Sequence, residues 1–135
     1  MPKVLISDKM SPLAAQILED RGVEVTVKVG MSSEDLIACI GGYDGIAVRS
    51  STKATSEVFV AAKNLKVIGR AGIGIDNIDL AAATAAGVCV MNTPFGNSIT
   101  TAEHAISMIM SLSRQIPHAN NSTHAGKWEK SKFMG

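Results

Sequence analysis

The sequence predicts an α/β fold built on a five-stranded parallel sheet of the flavodoxin-like order 2-1-3-4-5, with helices on both faces. Strand-like and helix-like segments alternate five times in about ninety residues, which is the spacing of βαβ units. Right-handed crossovers then distribute the helices over the two faces of the sheet. A length of 135 residues suits about one domain, and 46% hydrophobic residues can supply its core.

The five predicted strands are short apolar segments. They are residues 4–7, 23–27, 45–48, 65–68 and 88–91. Parallel strands end at a common edge of the sheet, which is where ligands bind in open α/β folds. We therefore expect the side chains at these strand ends to surround one crevice. They are Asp8, Arg49, Ser50, Arg70 and Asn92.

Helical patterns fill the intervals between these strands. The predicted helices are residues 10–21, 34–40, 55–63 and 79–86. In the first, Leu13 and Ile17, with Ala14 and Leu18 as further candidates, mark the apolar face that we expect to pack on the sheet. Ser32 or Ser33 caps the second helix, and its acidic first turn suits the helix dipole. Asp79 is a favourable N-cap for the fourth helix.

The segment after the fourth strand is the one that points to chemistry. Gly69, Gly72 and Gly74 follow the strand, with the cation Arg70 among them. Glycines allow positive φ and close approach of a ligand to the backbone, and successive N–H groups in a turn can bind an anion. The sequence therefore predicts a pocket for a carboxylate or phosphate. Ordinary turn chemistry accounts for the glycines equally well when they are considered alone.

Two other functions are compatible with such a fold, and the sequence disfavours both. Gly72-Ile73-Gly74 starts like a dinucleotide-binding fingerprint, but position 77 is asparagine instead of the third glycine. A phospho-receiver module needs an acceptor aspartate after the third strand and a lysine after the fifth. The chain has Arg49-Ser50 and Asn92-Thr93 at those places. A ligand-free oligomerisation unit remains a further possibility.

The C-terminal part contains a long helix that is apolar on nearly all sides. Thr100 and Glu103 have the spacing of a capping box at its start. Apolar residues such as Ile106 and Ile109 continue the pattern, and Trp128 follows in an apolar tail. Such a helix must be covered on more than one side. We expect the cover to be another domain or another subunit, and the chain to be part of a longer protein.

Composition narrows the function classes further. A net charge of +1 without runs of like charge gives no footprint for nucleic acid or for a membrane surface. No apolar stretch reaches membrane-spanning length. Cys39 and Cys89 lack motif spacing, which favours reduced thiols and a cytoplasmic protein. We expect no metal site, because the adjacent Glu103 and His104 point to different helix faces.

Four segments together resemble the D-isomer-specific 2-hydroxyacid dehydrogenases. They are Val48-Arg49-Ser50-Ser51-Thr52-Lys53, Gly69-Arg70-Ala71-Gly72-Ile73-Gly74-Ile75-Asp76-Asn77, Met91-Asn92-Thr93-Pro94-Phe95-Gly96-Asn97-Ser98, and Gly126-Lys127-Trp128-Glu129 with Phe133-Met134-Gly135. They cover the chain in the expected order. The Arg-Ser-x-Thr-Lys block favours members that oxidise a phosphorylated 2-hydroxy acid.

The resemblance implies a two-lobed, NAD-dependent oxidoreductase. Residues 1–92 would form the substrate-binding lobe. Residues 93–135 would form a hinge, a crossover helix and the start of a Rossmann domain that binds NAD, with residues 98–134 contributing to a homo-oligomer. The family's glycine-rich fingerprint and its catalytic Arg, Glu and His would lie beyond this chain. We therefore expect no catalytic residue here and no turnover by the chain alone.

By position, the resemblance assigns substrate-binding roles around the glycine turn. Arg49 and Ser50 would hold the substrate, and Arg70 would face its phosphate or carboxylate. Gly72 and Gly74 would donate backbone N–H groups to the carboxylate.

Three further positions match family contacts. Ile73 matches a position that touches the nicotinamide side of the cofactor. Asn97 matches a substrate contact at the start of the crossover helix. Lys130 stands where relatives often carry arginine, and a lysine keeps the charge but loses the bidentate fork that favours a phosphate.

Overall fold

The computed structural model describes residues 1–134 and divides them into two compact units. The first unit is Met1–Gly96, and the second begins at Asn97. The first holds the sheet and all the glycine-turn residues singled out above, and the second holds the long apolar helix.

The first unit is an alternating α/β module. Its strands are β1 (Lys3–Ile6), β2 (Glu24–Val27), β3 (Gly45–Val48), β4 (Val67–Arg70) and β5 (Cys89–Met91). Its helices are α1 (Leu13–Glu19), α2 (Ser33–Ile40), α3 (Ser56–Ala61) and α4 (Leu80–Ala85). The strands pair in the order β2-β1-β3-β4-β5, and every pair is parallel. The predicted topology is therefore confirmed.

The core of this unit lies on the three central strands. Leu5, Val48 and Ile68, one from each of β1, β3 and β4, are completely buried. Ile40 of α2 and Val58 of α3 pack into the same cluster. Because central parallel strands are buried on both faces, these segments read as continuous apolar runs in the sequence. This rigid sheet fixes the strand ends that carry the candidate site.

The fourth strand begins and ends two residues later than predicted. Its pairing with β3 continues through Gly69 opposite Ala47 and Arg70 opposite Val48. The ladder thus includes both residues, which the sequence placed in the turn. Arg70 is the last residue of a strand, so its backbone is held by the sheet.

Helix α1 is shorter than predicted, and only part of its predicted apolar face is half-buried. The prediction for Leu13 and Ile17 was wrong, because their side chains are 61% and 49% exposed. Ala14 and Leu18, the further candidates for this face, are half-buried together with Ala15. Residues i, i+1 and i+4 share a helix face, and the two small alanines need little space against the sheet.

Two of the predicted helix caps are present and one is absent. Ser32 forms a capping box with Asp35, since its hydroxyl accepts the Asp35 N–H and the Asp35 carboxylate accepts the Ser32 N–H. Asp79 accepts the N–H of Ala82 at 2.9 Å. The Thr100–Glu103 capping box was wrong. The long helix begins earlier, at Ser98, and the Thr100 hydroxyl instead donates to the Asn97 carbonyl at 3.0 Å.

The second unit is helical and leaves most of its apolar side chains exposed. It contains α5 (Ser98–Ser113), α6 (Ile116–His124) and a 3-10 helix (Lys130–Phe133). Large apolar side chains at least half exposed are Ile99, Ile106, Met108, Ile109, Met110, Leu112, Ile116, Trp128 and Met134. Within this unit alone, α5 has no buried residue among those described. In residues 1–134, no helix has both the length and the apolar character for a membrane span.

Candidate functional site

The candidate site lies at the carboxyl edge of the sheet, where β3, β4 and β5 end side by side. Arg49 and Ser50 follow β3, Arg70 ends β4, and Asn92 follows β5. Side chains at these strand ends form hydrogen bonds with the neighbouring segments. Arg70 donates to Ser50, and the Asn92 amide donates to the Ile73 carbonyl at 2.7 Å.

Arg70 makes three side-chain hydrogen bonds at this edge. Its Nε donates to the Arg49 carbonyl at 3.3 Å, its Nη2 to the Ser50 hydroxyl at 3.2 Å and its Nη1 to the Asp76 carboxylate at 3.0 Å. The Arg70 side chain is 10% exposed, whereas that of Asp76 is 86% exposed. A guanidinium has five N–H donors in a planar fork, so two remain for another acceptor.

Asp76 forms an ion pair with Arg70 that neutralises its charge. The hydrogen bond from Arg70, followed by one from its own backbone, holds the pKa of the Asp76 carboxyl below its usual value. Asp76 is therefore ionised at neutral pH and paired with Arg70. Because the carboxylate is exposed and screened by water, an anionic ligand can share or replace it.

The glycine turn makes room for the Arg70 guanidinium. A Cβ on Gly74 would lie 3.0 Å from Nη1 of Arg70 and 3.1 Å from Oδ1 of Asp76. A Cβ on Gly72 would lie 3.6 Å from Nε of Arg70. Neither glycine has a positive φ. The turn therefore does not use the positive φ that glycine permits, and the absence of a Cβ on Gly74 leaves space beside the ion pair.

The two predicted amide donors of the turn differ in availability. The Gly72 N–H already donates to the Arg70 carbonyl at 2.9 Å, so binding a carboxylate would require exchange of that bond. Among the described residues, none accepts a hydrogen bond from the N–H of Ile73 or Gly74. These two successive amides are free donors in the turn, and such neighbours can form an anion-binding concavity.

The Arg70 side chain donates to the backbone carbonyl of Arg49. The two guanidinium groups contact different neighbours. The Arg49 guanidinium donates to the Lys9 carbonyl at 3.2 Å, beyond the end of β1. Asp8, expected to line the crevice, is 4% exposed and accepts the Arg49 N–H. Its carboxylate thus accepts hydrogen bonds from the loop after β3 and is not free to bind a ligand.

A cavity of about 500 Å³ adjoins this edge. Its lining includes Ser50, Lys53, Thr55, Asp76, Asn77 and Asp79. Two carboxylates and one ammonium group do not by themselves attract an anion. Neither Arg49 nor Arg70 belongs to the lining, so this cavity differs from the two-arginine pocket expected from the sequence.

The remaining predicted contacts stand as predictions. Ile73 is 40% exposed and lies between the two glycines. Asn97 precedes α5 without capping it, and Lys130 is an exposed residue of the 3-10 helix. Both belong to the second unit.

Sequence reasoning did not recognise the roles of Thr52, Asp76 and Asn77. All three residues stand in the segments that carry the family resemblance, but none was given a role in the site; Asn77 was noted only as the residue that breaks a dinucleotide fingerprint. One signal was available, because an acid six residues after Arg70 can return to it across a glycine turn. No local pattern marks Asn77, whose amide bonds to residues 25 and 28 positions earlier.

Substitution of Gly74 by alanine is expected to separate Arg70 from Asp76, since the new Cβ needs the space between them. The pKa of Asp76 should rise toward its ordinary value of 3.8, measured by NMR titration of the carboxyl. In the wild-type chain, the pKa of Asp76 is lower in the folded state than in the unfolded state. The ion pair therefore stabilises the fold at pH values above 3.8, and this stabilisation is lost as the pH falls through the folded-state pKa.

Gly42→Ala is the matched control for this titration. Its Cβ would lie 3.6 Å from the Cys39 carbonyl, an ordinary contact on the opposite edge of the sheet. The control should leave the Asp76 titration unchanged. An unshifted Asp76 pKa in Gly74→Ala would show that the ion pair tolerates the added methyl group.

The fold and this edge define a class of protein. The chain is an α/β module with a parallel sheet, whose carboxyl edge presents a guanidinium and free backbone amides, the arrangement used for small anionic ligands in such folds. The profile of the D-isomer specific 2-hydroxyacid dehydrogenase family, catalytic domain, matches residues 4–128. The chain belongs to this family.

The chain is also similar to curated proteins that share one enzyme name. The chain is 53% identical over 133 residues to D-3-phosphoglycerate dehydrogenase of Archaeoglobus fulgidus, and 53% identical to that of Homo sapiens. Each alignment covers 98% of this chain and 25% of the relative. The chain thus spans about a quarter of the length of these relatives.

Solved structures share the fold. The PH0520 protein of Pyrococcus horikoshii superposes with a TM-score of 0.83 at 37% identity, covering 96% of this chain and 38% of that one. The NAD+-bound 3-phosphoglycerate dehydrogenase of Entamoeba histolytica superposes with a TM-score of 0.74 at 35% identity, covering 84% and 39%.

Proposed function

We propose that this chain is the substrate-binding part of a longer NAD-dependent oxidoreductase. The full enzyme would oxidise 3-phosphoglycerate at C2 to 3-phosphohydroxypyruvate, the first step of serine biosynthesis. The observation that carries the proposal is 53% identity to D-3-phosphoglycerate dehydrogenases over 98% of the chain. The anion-binding features at the carboxyl edge of the sheet agree with a small, doubly acidic substrate.

The glycine turn supplies the groups that would hold the substrate carboxylate. Arg70 has two N–H donors left, and the amides of Ile73 and Gly74 lack acceptors among the described residues. Arg49 and Ser50 lie beside them and would extend the contact along the substrate. Charge-assisted bonds of this kind are about twice as strong as neutral ones.

Asp76 gives this site a built-in competitor. Its carboxylate occupies Nη1 of Arg70, so the incoming carboxylate either shares the guanidinium or displaces Asp76 into water. Displacement is inexpensive because the Asp76 side chain is already 86% exposed. Arg70 is therefore held in one orientation before the substrate arrives.

Ile73 is the residue of this chain that we propose to contact NAD. Ile73 presents a partly exposed apolar side chain on the glycine turn, which suits the face of a nicotinamide ring. When bound, NAD would accept the hydride from C2 of the substrate. This chain would orient the substrate, while the general base would come from the rest of the enzyme. Asn97 and Lys130 are proposed as additional substrate contacts.

The exposed apolar surface of the second unit favours a self-associating enzyme. We infer that a second copy of the chain covers α5, since large apolar residues on several sides of this helix are more than half exposed. Its Ser98-to-Met134 region would form the dimer contact. The unpaired thiols of Cys39 and Cys89 agree with a cytoplasmic location.

The proposal is tested by turnover of the full-length enzyme. Purified enzyme should reduce NAD when given 3-phosphoglycerate, with a higher kcat/KM than for D-2-hydroxy acids that lack the phosphate. Residues 1–135 alone should give no NADH, because the chain lacks the base. A preference for an unphosphorylated acid would indicate another dehydrogenase of the family.

A non-catalytic role is distinguished by calorimetry. Saturable heat on titrating the full-length protein with 3-phosphoglycerate supports the binding site. Absence of both heat and turnover would leave only an oligomerisation role for this module.

A further inference from the structure

We propose that Asp8 and Asn77 are positioning residues for substrate binding, and that they act by fixing the backbone of residues 49–52, here called the substrate loop. The inference rests on the proposed function, which assigns Arg49 and Ser50 of this loop to the substrate. Neither Asp8 nor Asn77 touches the substrate in this proposal. They hold the loop from opposite sides.

Asp8 holds the amide side of the loop. Its Oδ2 accepts the N–H of Arg49 at 2.6 Å and that of Thr52 at 3.2 Å. Its Oδ1 accepts the Thr52 hydroxyl at 2.8 Å. The carboxylate is buried, with the residue only 4% exposed, and three donors converge on it. Bonds to an ionised acceptor in a buried setting are among the stronger ones in proteins.

Asn77 holds the carbonyl side of the same two residues. Its Nδ2 donates to the Arg49 carbonyl at 2.8 Å and to the Thr52 carbonyl at 2.6 Å. Its Oδ1 is buried and has no hydrogen-bond partner in the part of the chain that is described. Both donors are used while the acceptor is left unpaired. Asn77 therefore holds the loop through its side-chain NH₂ group.

The two side chains together fix Arg49 and Thr52 at both their N–H and C=O groups. Asp8 comes from the end of β1 and Asn77 from the turn after β4, so the loop is held between two strand ends. Ser50 and Ser51 lie exposed between the two anchored residues. Asp8 and Asn77, here called the clamp, thus set where the Ser50 hydroxyl lies while leaving Ser50 exposed.

The clamp also reaches Arg70. The Arg49 carbonyl accepts from Arg70 Nε as well as from Asn77, and Ser50 accepts from Arg70 Nη2. A shift of the loop would move two of the three groups that orient this guanidinium. Misplacement of a binding group by about 1 Å can cost about a hundredfold in rate. Release of the loop should therefore weaken substrate binding selectively.

The test uses two isosteric variants of the full-length enzyme. Asp8→Asn replaces the charged acceptor, and Asn77→Asp places an acceptor against two carbonyls. Each should raise KM for 3-phosphoglycerate by at least about tenfold. The KM for NAD should stay within about twofold, because the clamp bears on the substrate loop. This split separates positioning from general destabilisation, which would affect both ligands.

Matched controls lie on the opposite edge of the sheet. Asp44 accepts the Lys3 N–H at 2.9 Å, and Asn64 donates to the Gly41 carbonyl at 2.8 Å. Asp44→Asn and Asn64→Asp therefore make the same chemical changes to similar side-chain-to-backbone bonds. Both should leave KM for 3-phosphoglycerate near the wild-type value.

A milder pair covers the case in which an isosteric variant does not fold. Thr52→Val removes the hydroxyl that donates to Asp8, and Thr52→Ser restores it. The valine variant should raise KM for 3-phosphoglycerate, and the serine variant should return it toward wild type. Folded variants with an unchanged substrate KM, or with both KM values raised alike, overturn the inference. Wild-type enzyme without turnover overturns the proposed function, and the inference with it.

Discussion

Replacement of Arg70 by alanine in the full-length enzyme should remove about 2–5 kcal/mol of transition-state stabilisation. The value of kcat/KM for 3-phosphoglycerate should therefore fall about thirtyfold or more. The Arg70 side chain is 10% exposed, so its contact with a substrate carboxylate would be largely shielded from water. The change also leaves Asp76 unpaired, and this carboxylate would then repel the substrate. Steady-state kinetics with varied 3-phosphoglycerate measure the loss.

Two further variants define what Arg70 contributes. Arg70→Lys keeps a charge but loses the planar fork, so it should fall between wild type and alanine. Lys66→Ala removes a cation that is 78% exposed and paired with Asp44, and should change little. If kcat and KM both stayed unchanged in Arg70→Ala, the assignment of Arg70 to the substrate would be wrong.

Replacement of Ile68 by alanine should lower the free energy of unfolding by about 2–5 kcal/mol. Ile68 is completely buried in β4, between Ile46 of β3 and Val90 of β5. The shortened side chain leaves a cavity at the centre of the sheet, two residues before Arg70. Urea denaturation of the chain gives the value.

Far-UV circular dichroism is the suitable probe for this measurement. The single tryptophan, Trp128, lies in the second unit and is 82% exposed, so its fluorescence would respond weakly to unfolding of the sheet. Ile17→Ala is the control, because Ile17 is 49% exposed on α1 and alanine is the better helix former. Equal losses in the two variants would contradict the central place of Ile68 in the core.

The topology could be predicted because it depends on patterns that the sequence displays directly. Alternating apolar runs and helical segments determine the number of strands, and right-handed crossovers leave few possible orders. Element boundaries were less accurate. The ladder between β3 and β4 extends to Arg70 because pairing with a neighbour outweighs the glycine signal at position 69. The face of α1 was predicted only in part, because Ala14 and Leu18 are half-buried as expected whereas the larger Leu13 and Ile17 are exposed.

The candidate site was predictable only in its outline. Strand ends in a parallel sheet meet at one edge, so Arg70 and Ser50 could be expected to be neighbours, and they are bonded. The Asp8 and Asn77 contacts join residues separated by between 25 and 44 positions. Such bonds follow no local period, so they become visible only when the strands are assembled.

Anchoring of the substrate loop by side chains from elsewhere separates its shape from its own composition. The backbone at Arg49 and Thr52 is immobilised before any ligand arrives, so little conformational entropy remains to be lost on binding. Ser50 and Ser51 lie exposed between these two anchored residues. Under the proposed function, substitutions at these two positions would alter the preference for the acid, while the anchors at Arg49 and Thr52 would keep the path of the main chain.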